Sequence, residues 1–317
     1  MRTIRGVTAL TFAAVFVAAC SSGGASPSAA PTEAASSAPS AAASEAPTAT
    51  PDACAKDNLA TVAAGMLTIG TDNPAYPPYF DPPADGETAT APWELGDPTN
   101  GRGFEGAVAY AVAAELGFDK ASVAWTYVPF DSSYAPGAKA FDFDINQISY
   151  TADRAQSVDM SDGYYTVNQA LVANAGTPIT NVTTVSGLKD FKLGAQSGTT
   201  SYAFITDTIQ PTTEASVYDS NDAAIAGLNA KQIDGIVVDL PTAFYITAAQ
   251  MDNGVIVGQF AAPTGADAEH FSLVLQKDSP LTPCVNAAIA ALKADGTLDS
   301  ITKEWLSDKA SAPVFQP

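Results

Sequence analysis

The feature that most constrains the fold of this chain is an alternation of apolar, strand-like runs with helical stretches from residue 66 onward. Residues 66–72 form an apolar run that ends in a polar turn, which predicts a buried strand. Residues 106–116 place apolar side chains at helical spacing, and Gly117 predicts the end of that helix. Residues 123–128 read as a second strand. Strands that alternate with helices predict an α/β fold in which parallel sheets are flanked by helices.

The alternation continues to the end of the chain. The same criteria predict strands at 143–148, 191–195, 233–239 and 271–276, and helices at 223–230, 285–294, 298–306 and from Ser186. In such sheets, ligands bind beyond the carboxyl ends of the strands. Polar side chains follow four predicted strand ends, at Asp72, Ser149, Thr199 and Asp239. Each has an ordinary alternative, since an aspartate can cap a helix and a threonine hydroxyl can stabilise a turn. Their presence in both halves of the chain favours a shared site.

The N-terminus carries the features of an export signal. Arg2 and Arg5 precede an apolar run of 13 residues, 7–19, which is too short for a bilayer span of roughly 20 residues. Such a run predicts a secretory signal over residues 1–19. The ending at residues 17–20 resembles a bacterial lipobox, in which Cys20 becomes the lipidated first residue of the mature chain. An ordinary signal peptide with an incidental cysteine is the alternative.

The segment 20–53 is predicted to be a flexible tether that follows the lipidated cysteine. Residues 21–51 are almost entirely Ala, Ser, Pro, Thr and Gly with a few Glu, and they include no aromatic or long aliphatic side chain. Such a composition cannot bury enough apolar surface to offset the conformational entropy of the chain. The expected location of the folded part is therefore extracytoplasmic, anchored by lipid to the outer face of the bacterial cell membrane.

Two cysteines remain once Cys20 is set aside. They are Cys54, before the first predicted strand, and Cys284, at the start of a late helix. In an exported protein, two cysteines suggest a disulfide, which here would link the N-terminal and C-terminal regions. Two free buried thiols are the alternative.

Charge restricts the partners of the chain. It has 34 acidic and 14 basic residues, for a formal net charge of −20. This balance speaks against nucleic acid or an anionic membrane surface as a partner.

Arg154 is an isolated positive charge in this acidic chain, because it is the only basic side chain between Ala140 and Leu188. A guanidinium matches a carboxylate with two parallel hydrogen bonds, so Arg154 is a candidate anion ligand. The alternative is a surface pair with Asp153 or Asp159.

Short motifs occur in a fixed order between Leu67 and Leu306. They are Gly70-Thr71-Asp72, Tyr76-Pro77-Pro78-Tyr79, Gly103-Phe104-Glu105, Thr151-Ala152-Asp153-Arg154, Asp159 to Tyr165, Gly198-Thr199-Thr200, Asp234 to Asp239, and Lys293 to Leu298 with Trp305. In this order they are similar to family 3 solute-binding proteins, the extracytoplasmic receptors of polar amino acid ABC importers.

The resemblance implies a two-lobed Venus-flytrap fold of the type II periplasmic-binding-protein class, with a helix-flanked sheet in each lobe. Lobe one would comprise residues 54–168 plus 266–317, and lobe two residues 169–265. Two crossing strands would form the hinge, and closure of the lobes would bury the ligand and present a surface to the permease.

The resemblance also implies roles for individual residues. Arg154 would bind the α-carboxylate of an amino acid, and Asp239 from the other lobe would bind its α-ammonium. The remaining implied site residues are the carboxylate donors Ser149, Thr199 and Thr200, the ammonium acceptor Gln147, the walls Tyr76 and Phe130, the specificity residue Gln196, and Asp72. Tyr79 is an alternative to Tyr76, because the segment before it is one residue longer than usual. Asp72 is common in the family and therefore does not by itself indicate a cationic ligand.

The function expected from this resemblance is amino acid binding for an ABC importer, with a glutamine-like ligand, delivery to a permease, a monomeric state, and no cofactor or metal. One alternative is an enzyme on the same scaffold, of the cyclohexadienyl dehydratase type, because a fold does not fix a function. A ligand-sensing surface lipoprotein is another. The only histidine, His270, lies in a predicted lobe-one strand and is interpreted as a structural residue near the hinge.

Overall fold

The computed structural model describes residues 53–261, 268–306 and 312–317, which all lie in one compact unit. The expected signal peptide, the lipidated Cys20 and nearly all of the expected tether lie outside these residues. Within the described part of the chain, no helix is both long enough and apolar enough to cross a membrane.

The secondary structure alternates much as the sequence predicts. The strands are β1 (Leu67–Thr71), β2 (Val123–Tyr127), β3 (Phe143–Asp144), β4 (Val158–Met160), β5 (Tyr165–Thr166), β6 (Gln169–Asn174), β7 (Leu193–Gln196), β8 (Ser216–Tyr218), β9 (Gly235–Asp239), β10 (Gly254–Gln259), β11 (His270–Phe271) and β12 (Val274–Gln276). The helices are α1 (Phe104–Glu115), α2 (Phe130–Ser133), α3 (Arg154–Ser157), α4 (Thr200–Phe204), α5 (Asn221–Asn229), α6 (Leu240–Tyr245), α7 (Thr282–Ala294) and α8 (Thr297–Trp305). Single π-helical turns extend α4 and α6 at Ile205–Ile209 and Ile246–Gln250. Short 3-10 turns lie at Lys56–Asn58, Pro98–Asn100, Lys120–Ser122, Pro178–Asn181 and Ser186–Leu188.

Lobe one is built on a five-stranded sheet with the order β2-β1-β3-β12-β4. Helices α1, α7 and α8 pack against one another. Phe104 and Val108 of α1 are fully buried and share one core with Leu67 and Ile69 of β1. Burial of an apolar side chain of this size contributes about 1.5–3 kcal/mol, so this core holds the sheet and its helices together.

Lobe two is built on a second five-stranded sheet with the order β10-β6-β9-β7-β8. Two apolar clusters contain side chains of this sheet, with Val172 and Ile236 in one and Leu171 and Val237 in the other. All four side chains are fully buried. Successive side chains of a strand point to opposite faces, so these alternating residues show that both faces of the sheet are covered.

A two-stranded antiparallel ribbon of β5 and β11 connects the lobes. β5 leads into β6 of lobe two, and β11 leads into β12 of lobe one. Both sheets are flanked by helices as expected, but they contain antiparallel as well as the predicted parallel pairs. β6 and β12 are antiparallel to β9 and β3, because they follow directly from the crossing ribbon and run away from the cleft. A crossover helix, in contrast, returns the chain for a parallel strand.

Two further boundaries differ from the expectation. β3 ends at Asp144 instead of reaching residue 148, because Gln147 adopts a left-handed backbone conformation, with a φ of 48°, and the chain turns away from the sheet. Residues 312–317 were assigned to lobe one, but they pack on lobe two. Val314 bridges Gln259, and the buried Phe315 stacks on Phe260 with ring centroids 4.8 Å apart.

Cys54 and Cys284 form a disulfide, with their Cα atoms 5.4 Å apart. The bond joins the segment before β1 to the first turn of α7. Both cysteines belong to the core of lobe one. The disulfide therefore closes a covalent loop that contains the whole of lobe two.

Candidate ligand-binding site

A cavity of about 300 Å³ lies in the cleft and is lined by residues of both lobes. Nine of the ten predicted ligand-binding residues line it, namely Asp72, Tyr76, Phe130, Gln147, Arg154, Gln196, Thr199, Thr200 and Asp239. A larger groove of about 430 Å³ runs past Pro78, Phe244 and Trp305, but the charged residues among those that line it are both acids, Asp81 and Glu304. The smaller cavity is the better site for an anionic group, because it contains a guanidinium.

Arg154 begins α3, and only 8% of its surface is exposed. Its Nη1 donates to the Ser149 carbonyl at 2.6 Å, and its Nη2 donates to the Gly198 carbonyl at 2.8 Å. The Gly198 bond crosses from lobe one to lobe two, so the cleft is closed at this point. The guanidinium also lies over the Tyr134 ring, 4.3 Å from its centroid, in a cation–π contact. These contacts fix the orientation of the charge.

The surface alternative for Arg154 does not fit this geometry. Asp159 forms its ion pair with Lys277, at 3.4 Å. Asp153 accepts from the side chain of Gln156. The guanidinium of Arg154 instead faces the cavity, where burial lowers its pKa because desolvation disfavours the charged form. An anion entering the cavity would offset that loss of solvation.

Asp239 ends β9, at the point where the strand meets the cavity. It precedes α6, but its side chain makes no capping hydrogen bond. Its Oδ1 instead accepts from Gln169 Nε2 at 2.8 Å. Protein atoms enclose this carboxylate on the sides away from the cavity. This burial is the largest cause that raises its pKa well above the usual range, and the negative charge of Glu269 is the second. A cation in the cavity would stabilise the ionised form.

Asp72 and Gln147 form the lobe-one side of the cavity. Burial raises the pKa of Asp72 to about 6, and a hydrogen bond with the Asn146 side chain partly opposes that shift. The backbone N–H of Gln147 donates to Glu105 Oε1 at 2.7 Å, and its side-chain amide also donates to Glu105. Glu105 is fully buried and additionally accepts from the Tyr164 hydroxyl. It holds Gln147 in its left-handed conformation from behind the cavity.

Ser149 is the one predicted site residue that does not line the cavity. It is 2% exposed, and its hydroxyl donates to Glu269 at 2.7 Å instead of pointing toward a ligand. In this arrangement the Ser149 hydroxyl is engaged by Glu269, and a ligand contact of Ser149 through its backbone or hydroxyl stays a prediction. Its carbonyl accepts from Arg154, because the turn after β3 places this residue directly behind the guanidinium.

On the lobe-two side, the Thr199 hydroxyl stabilises the turn before α4, which is the alternative considered for it, and caps that helix. Its Oγ1 accepts from the backbone N–H of Tyr202 at 3.1 Å and donates to the Gln196 carbonyl at 2.7 Å. Thr200, next in the turn, approaches lobe one, with 3.3 Å between its Oγ1 and Ser149 Oγ. The turn therefore brings backbone donors and hydroxyls close to Arg154.

Tyr76 rather than Tyr79 lies in the cavity wall. The ring of Tyr79 is 2% exposed, and its hydroxyl lies 3.0 Å from that of Thr242. Tyr76 lines the cavity, and its hydroxyl donates to Asp222 of lobe two at 2.7 Å. The first of the two tyrosines therefore lies at the cleft.

Sequence reasoning missed ten lining residues, which come mainly from loops that flank the predicted ones. They are Asn73, Pro74, Tyr127, Pro129, Asp131, Asn146, Asp219, Ser220, Asn221 and Thr242. Their position near strand ends could have indicated some of them, since Asp219 and Asp131 follow β8 and β2 by a few residues. Position near a strand end is not sufficient, however, because it would predict too many cavity-lining residues.

Comparison with known proteins identifies the family. Residues 85–308 match the family of bacterial extracellular solute-binding proteins, family 3. The chain belongs to this family. The expected two-lobed fold is confirmed, because two-lobed amino-acid-binding proteins are its structural neighbours. The family's members are extracytoplasmic, which agrees with the expected side of the membrane.

Individual relatives resemble about three quarters of the chain. The chain is 28% identical over 247 residues to the L-cystine-binding protein TcyJ of Escherichia coli, covering 76% of this chain and 82% of the relative. It is 25% identical to an ancestral arginine-binding protein solved with arginine, with a TM-score of 0.59 and coverage of 77% and 99%. It also shares its fold with the ancestral amino acid-binding protein AncCDT-1, a precursor of cyclohexadienyl dehydratase, at 24% identity, a TM-score of 0.59 and coverage of 77% and 96%.

Relatives of this family 3 protein are binding proteins rather than enzymes. His270 lies outside the cavity lining, with Nδ1 3.0 Å from the Ala268 carbonyl and its ring stacked on Tyr150. Among the described residues, no group of three His, Cys, Asp or Glu side chains is placed to hold a metal ion. The cavity itself is lined by charged, polar and aromatic side chains.

Proposed function

We propose that this chain is the substrate-binding component of an amino acid ABC importer, which binds an L-α-amino acid in the cleft and delivers it to a permease. The observation that carries this proposal is the pair formed by Arg154 and Asp239, which come from opposite lobes and line the same cavity. A zwitterion that leaves water needs both charges satisfied, because an unpaired buried charge is costly. The two lobes supply the two counter-charges together only when the cleft is closed.

The guanidinium is oriented to receive the carboxylate. It has five N–H donors, and the carbonyls of Ser149 and Gly198 hold it in place through Nη1 and Nη2. The turn at Thr199 and Thr200 adds donors from lobe two beside it. The ligand thereby shifts the open and closed populations toward closure, since only the closed form binds both ends of the zwitterion.

The charges of the cavity favour a ligand with a cationic side chain over the glutamine-like ligand expected from sequence. Four carboxylates line it, Asp72, Asp131, Asp219 and Asp239, against the single guanidinium of Arg154. After the zwitterion pairs with Arg154 and Asp239, three acids remain. An ammonium or guanidinium side chain would pair with the half-buried Asp72, and the faces of Tyr76 and Phe130 suit its flat or aliphatic parts.

The N-terminus supports a lipid-anchored receptor. The lipobox-like residues 17–20 and the tether that follows would hold the binding domain at the outer face of the cell membrane, within reach of its permease. Intact-mass analysis of protein purified from the native membrane tests this point. A mass that lacks residues 1–19 and carries a diacylglyceryl group on Cys20 is expected, and an unmodified Cys20 would refute the anchor.

Calorimetric titration of the purified protein with the twenty standard amino acids, ornithine and cystine tests the function. Saturable one-to-one binding of at least one amino acid is expected, with arginine, lysine or ornithine bound more tightly than glutamine. Assays with prephenate and arogenate serve as the control for the dehydratase alternative. Turnover of either compound, together with no amino acid binding, would contradict the proposed function.

A further inference from the structure

A hydrogen-bond network lies where the chain crosses between the lobes, behind the ligand cavity. Its centre is Gln169, the first residue of β6, which is 3% exposed. Gln169 Nε2 lies 2.8 Å from Asp239 Oδ1, and 3.2 and 3.1 Å from the two carboxylate oxygens of Glu269. Its Oε1 accepts from the Ser201 hydroxyl at 2.6 Å. The amide nitrogen of Gln169 therefore donates to two carboxylates, and its amide oxygen is held by the Ser201 hydroxyl.

Glu269 extends the network toward lobe one. It precedes β11, and its carbonyl accepts from the backbone N–H of Val167 beside β5, so it belongs to the crossing ribbon and to neither large sheet. Its Oε1 accepts from the Ser149 hydroxyl at 2.7 Å. The Ser149 carbonyl in turn accepts from Arg154. A continuous path thus runs from the guanidinium of Arg154 through the hinge to the carboxylate of Asp239.

We propose that Gln169 and Glu269 are positioning residues for ligand binding, which set the orientation and the charge state of Asp239 from behind the cavity. This inference rests on the proposed function, because Asp239 is taken to bind the ammonium group. Neither residue lines the cavity, so their hydrogen bonds reach the ligand only through Asp239 or Ser149, while the charge of Glu269 also partly offsets the burial that lowers the pKa of Arg154. The amide of Gln169 orients the Asp239 carboxylate, and Glu269 holds that amide.

The charges around Asp239 mostly oppose its ionisation. Asp239 and Glu269 are two acids that share a neutral donor, and like charges at short distance oppose ionisation. Burial and the charge of Glu269 raise the pKa of Asp239, Glu105 raises it further, and Arg154 and the Gln169 hydrogen bond lower it. The phenols of Tyr79 and Tyr165 also lie close enough to sense its charge. A bound ammonium supplies the missing positive charge, and Glu269, after burial, raises the pH below which that ammonium is no longer held.

Two substitutions separate this role from a structural one, because they act on Asp239 in opposite directions. Glu269→Gln removes the like charge while it keeps an acceptor for Ser149 and Gln169, so the pKa of Asp239 falls. Gln169→Leu removes the shared donor and leaves both carboxylates facing each other, so the pKa of Asp239 rises. Glu115→Gln, at an exposed acid of α1 whose side chain lies outside the network and the cavity, is the matched control.

The measurement is the dissociation constant of L-arginine, and in parallel of L-glutamine, from pH 4.5 to 8.5 for the purified wild type and the three variants. With Glu269→Gln, the acid-side loss of affinity should move to lower pH by about one unit, the scale expected for one nearby charge. With Gln169→Leu, it should move to higher pH. Glu115→Gln should follow the wild type. The pH profile of each variant is compared with that of the wild type. Asp72 is present in all of these proteins, so its contribution to the pH dependence cancels in the comparison.

The outcomes are distinguishable. If both variants weaken binding by one constant factor at every pH, the network is only structural and the inference is wrong. The same holds if Glu269→Gln, which removes the charge but keeps one acceptor oxygen for Ser149 and Gln169, leaves the profile unchanged. If the wild type binds no amino acid at all, the proposed function has failed and the inference fails with it.

Discussion

The hydroxyl of Tyr76 in lobe one lies 2.7 Å from a carboxylate oxygen of Asp222 in lobe two. The contact spans the mouth of the cleft, and the Tyr76 ring also meets Tyr245 of lobe two, with centroids 6.1 Å apart. Asp222 accepts a second hydrogen bond, from Gln250 within its own lobe. Tyr76 therefore acts as a wall of the cavity and as part of the contact that keeps the lobes closed.

Replacing Tyr76 by Phe should weaken ligand binding mainly through faster release. The ring and its packing remain, but a hydrogen bond to a charged acceptor is lost, and such bonds contribute about 1.5 kcal/mol or less at a solvent-exposed position, which is at most roughly tenfold in affinity. Stopped-flow measurement of association and dissociation rates checks this expectation. Tyr150→Phe, at an exposed tyrosine stacked on His270, is the control. An unchanged dissociation rate in Tyr76→Phe would show that the contact does not hold the closed state.

Replacing Arg154 by Ala should abolish measurable amino acid binding while the protein still folds. Removal of one partner of a buried ion pair costs about 3–5 kcal/mol, which is a loss of at least a hundredfold in affinity. Arg154→Lys should recover little of it, because an ammonium lacks the planar fork. Arg102→Ala is the matched control, since its ion pair with Asp81, at 2.8 Å, is exposed. Titration calorimetry and thermal melting of all three variants give the answer, and wild-type affinity in Arg154→Ala would refute the assigned role.

The parts of the fold with a clear apolar run or a helical apolar period could be predicted from sequence. β1, α1, α7 and α8 lie within a few residues of their expected positions, because β1 belongs to an apolar run and each helix places apolar side chains at helical spacing. β6 was missed, since its apolar stretch, residues 170–173, is short and shows no alternation. The direction of β6 and β12 could not be predicted, because it depends on where the chain crosses between lobes. The packing of residues 312–317 on lobe two depends on a single aromatic side chain, Phe315.

The candidate site also has a part that could be predicted from the sequence and a part that could not. Residues that meet the ligand cavity directly, such as Arg154 and Asp239, stand in motifs whose order along the chain resembles the family. The roles of residues that act from behind them were not predicted. Glu105 stands in a quoted motif, but its contact with Gln147 depends on the packing of α1, and the contact of Gln169 with Glu269 depends on the hinge. No local pattern encodes a hydrogen bond between positions 169 and 269.

Replacing Asp72 by Asn should change the ligand preference of the cavity. A cationic side chain loses a charged partner, and such interactions contribute about 1.5–3 kcal/mol, so the affinity for arginine should fall about ten- to a hundredfold. The affinity for glutamine should change little. Competition titration of the two amino acids measures the ratio, with the exposed Asp57→Asn as control. An unchanged ratio would remove the support for a cationic ligand.

The preference of the wild type for arginine over glutamine should also depend on pH. Burial raises the pKa of Asp72 to about 6 in the unliganded protein, so its carboxylate is charged above that pH and becomes protonated below it. The arginine-to-glutamine affinity ratio should therefore be largest near pH 8 and decline as the pH falls through about 6. In Asp72→Asn this dependence should disappear. A ratio that is constant from pH 5 to 8 in the wild type would contradict the assignment.

Removing the disulfide should lower stability without changing ligand affinity. Cys54 and Cys284 are 230 residues apart, and the entropy of so long a loop in the unfolded chain corresponds to about 5 kcal/mol as an upper value. The bond lies in the core of lobe one, and neither cysteine lines the cavity. Denaturant unfolding of the wild type and of the double variant Cys54→Ser, Cys284→Ser should show a loss of about 2–5 kcal/mol, with the dissociation constant for arginine unchanged. Reduction should destabilise the wild type and leave the double variant unaffected, which separates loss of the bond from the effect of the serines. Equal stability of the oxidised and reduced wild type would mean that the bond does not constrain the unfolded chain.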